Sequence, residues 1–209
     1  MTAAIISSAA YVNGEFVSEV GALPPSMLPI GAMRLWKHQV MELRRHVEDV
    51  SIFLTLPDTY VVGKHDREHL EGSGVQIIWL PEGLCLGESI FLAVNVIKKE
   101  HSSSFLLYGD TLVRDAQLES TDFISVHPSL GLYNRAFITR QTNSLKLDSG
   151  SNDGDRLDVV SGYFRFSNLQ LLVDVIRERD FDFLMAIERY SELVDLKLEN
   201  SGIWLDCGH

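Results

Sequence analysis

Short apolar runs and amphipathic helical segments alternate through the first half of this chain, and the alternation narrows the fold more than any other feature. AAIISS (3–8) is a short, partly β-branched run, and the Gly- and Pro-containing stretch from 11 to 31 that follows it reads as a long loop. From Met33 the apolar residues Met33, Trp36, Val40, Leu43 and Val47 recur three and four apart, with Arg34, Lys37, Glu42 and Arg45 on other faces. That spacing predicts an amphipathic helix. DVSIFLTLP (49–57), VQIIWLP (75–81) and SFLLYGD (104–110) read as buried strands, with helices expected over 64–71 and 88–100. Lys98 and Lys99 close the second helix, where its dipole favours cations. This succession predicts βαβ units and an α/β fold with a mixed, mainly parallel sheet covered by helices. Ligands of such sheets bind beyond the carboxyl ends of the strands, and Asp110 stands at one of them.

The second half is less regular. Strands are expected at 122–128, at 159–168 and in GIWLDCGH (202–209), and helices over 168–179 and 182–190. The Gly-, Ser-, Asn- and Asp-rich segment 144–158 reads as a surface loop. No internal repeat is present, and 209 residues suit one domain.

The net charge of −11 argues against nucleic acid as a partner, since phosphate-backbone binding relies on clustered Lys and Arg. It does not argue against a single phosphorylated small molecule, which a metal ion and backbone N–H groups can hold. No apolar run is long enough for a membrane helix, so no membrane association is expected. MTAAIISSAA lacks the basic flank of a signal peptide, which makes a cytoplasmic location the expectation. Cys85 and Cys207 show no metal-binding or disulfide spacing.

Asp110 and Asp206 share one description: an apolar strand, an aspartate, then a small or polar residue. Two carboxylates at the ends of adjacent parallel strands would suit Mg²⁺, which takes one or two carboxylates and completes its shell with water and phosphate oxygens. Each could equally cap a turn. His65 and His69 are four apart, yet no third ligand accompanies them, and a solvated helix face is expected. In LPEGLCLGESIFLAVN (80–95), Gly83 and Gly87 precede a helix that begins Glu88, Ser89 and Ile90. Such a segment can approach a ligand closely, or simply turn the chain.

In their order along the chain these segments resemble the sugar-phosphate nucleotidyltransferases, the pyrophosphorylase and cytidylyltransferase family with a Rossmann-like core. PPSMLPIG (24–31) resembles the stretch after the family's triphosphate loop, and PEGLCLGES resembles its base-recognition loop. LLYGDT is similar to the strand bearing a metal-binding aspartate, VVSGYFRFS to the strand at the sugar pocket, and GIWLDCGH to a tryptophan-x-aspartate-x-glycine motif with a second one. The resemblance implies a nucleotide-diphospho-sugar transferase-like three-layer sandwich. It implies attack by an acceptor phosphate on a nucleoside triphosphate, with Mg²⁺ as cofactor and pyrophosphate as product, in a pathway of surface-polysaccharide synthesis. Asp110 and Asp206 would be the catalytic metal ligands. Ala10, Tyr11, Gly83, Gly87, Glu88, Ser89 and Gly109 would lie along the nucleotide, and Gly162, Lys146 and Lys197 beside the acceptor.

Two cations of the family pattern are missing. Tyr11, Asn13 and Glu15 stand where the family has glycine, glycine and arginine, and its lysine falls near Pro25 or Ser26. A degenerate domain that binds nucleotide or nucleotide sugar without turnover is therefore the competing reading. A glycosyltransferase is a third, weakened because no Asp-x-Asp pair follows the strand at Asp110. The resemblance also implies a further domain beyond this chain, and it leaves room for a homo-oligomer.

Overall fold

A computed structural model describes residues 2–12, 14–47, 49–115, 119–129, 136–141, 144–148 and 157–208. The first half runs β1 (Thr2–Ser7), α1 (Gly14–Val20), a 3-10 turn (Pro25–Met27), β2 (Pro29–Ile30), β3 (Met33–Arg34), α2 (Leu35–His46), β4 (Ser51–Pro57), α3 (Lys64–Gly72), β5 (Val75–Leu80), α4 (Leu86–Ile97) and β6 (Ser103–Tyr108). The second half runs β7 (Thr111–Arg114), β8 (Phe123–Ser129), β9 (Phe137–Gln141), β10 (Ser144–Asp148), β11 (Leu157–Phe166), α5 (Leu169–Glu178), α6 (Phe183–Leu193), β12 (Lys197–Asn200) and β13 (Ile203–Asp206).

The main sheet is ordered β10-β9-β11-β6-β1-β4-β5, with β8 also on β11 and β12 on β8. β6, β1, β4 and β5 run parallel, and β11 joins β6 antiparallel. The mixed, mainly parallel α/β sheet is thus observed. Along β1 the side chains alternate between two cores. Ala3 and Ile5 pack with α4, α5 and α6, whereas Ala4 and Ile6 pack with α2 and α3. A strand buried on both faces needs apolar residues at every position, which explains the continuous run in the sequence. Among the described residues no helix is long and apolar enough to cross a membrane.

Side-chain caps set the helix starts. Asn168 accepts from the Leu171 N–H at 3.0 Å, and Asp182 from the Met185 N–H at 3.0 Å. At α4 the Cys85 thiol accepts from the Glu88 N–H while the Glu88 carboxylate accepts from the Cys85 N–H at 2.7 Å. This reciprocal cap starts α4 at Leu86, two residues before the position expected from periodicity.

Several expectations are corrected. The stretch 11–31 is not loop throughout, since α1, the 3-10 turn and β2 lie in it, and β3 takes up Met33 and Arg34 before α2 begins. Ser144–Asp148 form β10 rather than loop, and 149–156 fall outside the described residues. Asp110 and Asp206 do not end neighbouring parallel strands. β13 instead pairs antiparallel with β7 in a small separate sheet, with Asp206 opposite Thr111 and Ile203 opposite Arg114.

Two packing features carry measurable weight. The buried Asp122 carboxylate accepts from the Ser167 N–H at 2.8 Å, the Ser167 hydroxyl at 2.6 Å and the Tyr190 hydroxyl at 2.8 Å, tying β8 to α6 and to the turn before α5. Burial, then the Asp122 carboxylate, pushes the Tyr190 hydroxyl above its usual pKa. On α4, a Cβ added to Gly87 would lie 1.9 Å from the main-chain oxygen of Phe181, whose ring meets Phe91 edge-on. Tyr190→Phe is expected to lower stability by about 1.5–3 kcal/mol in denaturant unfolding, the range for a hydrogen bond to a charged group. Gly87→Ala is expected to cost about 1–3 kcal/mol or more in the same measurement, because backbone rather than a mobile side chain must yield.

Candidate functional site

The order of the parallel strands locates the site. The chain builds outward from β1 to β4 and β5, then returns through α4 to place β6 on the other side of β1. The loops after β1 and β6 therefore part, and a crevice opens between them at the carboxyl ends, the usual ligand position of open α/β sheets. A cleft of about 280 Å³ is found there. One wall is Ser7 to Ala10 after β1, another is Tyr108 to Asp110 after β6, and Leu84, Leu86 and Ser89 close it from the β5–α4 connection.

The floor is tight. The Gly109 N–H donates to the Ser7 carbonyl at 2.7 Å, and a Cβ on Gly109 would fall 2.7 Å from both Cβ and Oγ of Ser8. Ser8 Oγ accepts from the Ser26 N–H at 3.0 Å and from the Ser26 hydroxyl at 2.8 Å, while the Ser8 N–H donates to Thr55 Oγ1 at 2.8 Å. These buried hydroxyls lock together β1, β4 and the turn at Pro25–Met27. Ser26 thus occupies the region in which the resemblance expects a lysine, and its side chain is engaged with Ser8.

The pairing of β7 with β13 brings the two aspartates into one neighbourhood. The Cys207 N–H donates to the Asp110 carbonyl at 2.7 Å. The Gly208 N–H donates to Asp206 Oδ1 at 3.0 Å, and a Cβ on Gly208 would lie 2.6 Å from Asp110 Oδ2. Glycine at 208 is therefore what lets the chain run close to the Asp110 carboxylate. Thr111 Oγ1 sits 3.4 Å from Asp110 Oδ1 and donates to the Ser161 carbonyl at 2.9 Å, so β11 also supports this turn. Among the described residues no group of three or more His, Cys, Asp or Glu side chains converges to hold a metal ion. Those residues thus form no closed cage of the structural zinc type, and the donor chemistry of two carboxylates suits a cation that keeps water or phosphate oxygens in its shell.

Of the other residues singled out in the sequence, Ala10, Ser89 and Gly109 line the cleft together with Asp110. Tyr11 reaches sideways, its hydroxyl 2.9 Å from Thr59 Oγ1, and Thr59 donates to Glu82 at 2.8 Å. That chain links the loops after β1, β4 and β5. Gly83 is exposed at φ +87°, a turn glycine with no atom within 4 Å of an added Cβ. Gly87 and Glu88 are committed to the helix packing and capping described above, rather than to the cleft wall. Gly162, at φ +85°, sits in a bulge of β11, where a Cβ would strike the Tyr108 ring at 2.5 Å. It borders the cleft only through that tyrosine.

The two lysines are not brought to the cleft. Lys146 is exposed on β10, the outermost strand on the far side of β9 and β11. Lys197 pairs across the sheet with Phe123, then Arg165, then Phe105, a level toward the amino end of β6 and away from Asp110. It forms an ion pair with Asp195 at 2.7 Å. Asn13 lies outside the described residues, and Glu15 belongs to α1. The sequence reading passed over Ser8, Tyr108 and Gly208. It also passed over Gln39, a buried polar residue beside Val40 in the apolar stripe of α2, and that interruption was the available signal.

No family model and no curated protein sequence matches the chain. Solved structures do. A nucleoside-diphosphate-sugar pyrophosphorylase from Vibrio cholerae superposes with a TM-score of 0.76 at 16% identity, over 98% of this chain and 95% of that one. The inositol-1-phosphate CTP transferase from T. maritima gives 0.67 at 17% identity, over 98% and 89%. A Bacillus anthracis structure in complex with a sucrose, assigned as a glucose-1-phosphate thymidylyltransferase, gives 0.74 at 13% identity, over 100% and 90%. The chain has the Rossmann-like nucleotide-diphospho-sugar transferase fold of nucleotide-sugar pyrophosphorylases and cytidylyltransferases.

Proposed function

We propose that this chain is a Mg²⁺-dependent nucleotidyltransferase domain, which joins a nucleoside monophosphate from a nucleoside triphosphate to a phosphorylated sugar or similar polar metabolite. The observation that carries this reading is the β7–β13 pairing, which sets Asp206 opposite Thr111, the residue after Asp110, and Asp110 lines a cleft at the strand-order reversal. The structural neighbours whose names mention a sugar nucleotide and inositol 1-phosphate support the substrate class. Surface-polysaccharide synthesis is a fitting use for such a product.

In this reading an acceptor phosphate oxygen forms a bond to the α-phosphorus, the α–β bridging P–O bond breaks, and pyrophosphate leaves with the electron pair. Asp110 and Asp206 would hold Mg²⁺, which when bound neutralises charge on the triphosphate. The protein's part is positioning. Leu84 and Leu86 offer apolar surface to a base, Ser89 a hydroxyl, and the small residues from Ser8 to Ala10 allow the ligand to approach the main chain.

One observation favours a second reading, a domain that binds a nucleotide or nucleotide sugar without turnover. The described residues lining the cleft include no lysine or arginine, and α1 follows β1 where a triphosphate loop with an arginine is expected from the resemblance. In related chemistry one arginine is worth about 10³-fold or more in rate.

A panel of nucleoside triphosphates and sugar phosphates, assayed for pyrophosphate with and without Mg²⁺, decides between them. Turnover that requires Mg²⁺ and is lost in Asp110→Asn is the expected outcome. Metal-independent thermal stabilisation by a nucleotide sugar, with no turnover, would instead establish the binding domain.

A further inference from the structure

Helix α2 turns two polar side chains toward the strands, and both reach the segment that bears Asp110. Gln39 has no exposed surface, and its Nε2 points at three main-chain carbonyls: Tyr108 at 3.0 Å, Gly109 at 3.3 Å and Thr111 at 2.7 Å. These carbonyls lie on both sides of Asp110 in the chain. Two amide protons cannot make three full bonds, so the longest contact, to Gly109, is shared. Three residues along, on the same helix face, the Glu42 carboxylate meets Arg114 Nε at 3.4 Å at the far end of β7. The turn is thus gripped at its apex and at the end of its outgoing strand.

The orientation of the Gln39 amide is unambiguous on chemical grounds. Reversed, Oε1 would face three carbonyl oxygens. As placed, Oε1 is buried with no hydrogen-bond partner among the described residues, an arrangement that disfavours folding. An apolar residue here would remove that penalty but would also leave the turn without its donor. A fully buried amide that holds three carbonyls around one carboxylate and leaves its own oxygen unpaired serves geometry more than stability.

We propose that Gln39 is a positioning residue for Asp110: by fixing the Tyr108–Thr111 turn, it holds the Asp110 carboxylate beside Asp206 and so sets the affinity of the pair for a divalent cation. This inference rests on the reading of Asp110 and Asp206 as metal ligands. Residues that orient a ligand without touching the metal typically change affinity about 10- to 100-fold when replaced.

The test uses Mn²⁺ alone as the probe, titrated calorimetrically into the full chain without nucleotide. Gln39→Met keeps a similar volume and removes the donor. Val40→Ala, on the same helix, reports what loss of packing does by itself. In Gln39→Met, Mn²⁺ affinity is expected to fall about 10- to 100-fold, with faster amide hydrogen exchange at Asp110 and Thr111. Val40→Ala is expected to lower the Tm while Mn²⁺ affinity stays as in the wild type. Should Gln39→Met not yield folded protein, Gln39→Asn, which withdraws the amide by one methylene, is expected to weaken Mn²⁺ in the same direction. Wild-type affinity in the folded Gln39 variant, or an equal loss in Val40→Ala, overturns the inference and leaves the metal pair standing. No Mn²⁺ binding by the wild type overturns both.

Discussion

The pairing of β1 on both of its edges is the constraint on which the rest depends. β1 lies between β4 and β6, parallel to each, and Ala3 to Ile6 are almost completely excluded from solvent. Its main-chain groups can be satisfied only by those two neighbours, so the strand is held in register from both sides. Because β4 and β6 are reached in opposite directions from β1, the loops leaving β1 and β6 must diverge. The cleft is therefore a by-product of connectivity. Gly109 and Ser8 then determine how deep it is, since their close approach seals the base of the crevice.

The second half of the chain supplies what this parallel core lacks. β11 adds to β6 antiparallel and carries a bulge at Gly162, which accepts the Tyr108 ring and turns the strand beside Thr111. β13 then folds back on β7 and delivers Asp206 to the neighbourhood of Asp110. The buried Asp122 works at the other end of this region, where three donors from two segments compensate the carboxylate's desolvation. Main-chain pairing thus positions one carboxylate, and one main-chain N–H with two hydroxyls stabilises the other.

What could be read from the sequence follows from which residues are buried on both faces. β4 and β6 stand out as apolar runs because almost every position in them is buried, β5 because it is apolar even at the exposed Trp79, and α2, α4, α5 and α6 because one stripe of each is buried. β7 and β12 were missed because four residues are too few to show a period. β10 was hidden by its polar surroundings, although Leu145 and Leu147 alternate within it. Asp110 and Asp206 could be singled out as candidates from strand-end placement, but the antiparallel β7–β13 pairing that brings their segments together could not, since pairing partners leave no local trace. Gly87 illustrates a different limit. A glycine before a helix reads the same whether a ligand or the Phe181 main chain comes close, and here the main chain does. Lys197 was proposed for the site by its position in the chain, yet register carries it toward the other end of the sheet.

The small β7–β13 sheet has a bearing on dynamics. It comprises four residue pairs, is separate from the main sheet, and joins segments far apart in the chain. Two-stranded ribbons are marginal alone, and contacts that close long loops form late in folding. Opening this ribbon before the rest exposes Val113 and Trp204, which pack in the same cluster as Ala4 and Ile6 of β1, so the ribbon is the least stable unit only by that margin. The two aspartates would separate in that opened form without any loss of the fold. The affinity of the site for its ligands would then include the free energy of closing this ribbon, so a bound ligand would register as protection of β7 and β13 against exchange.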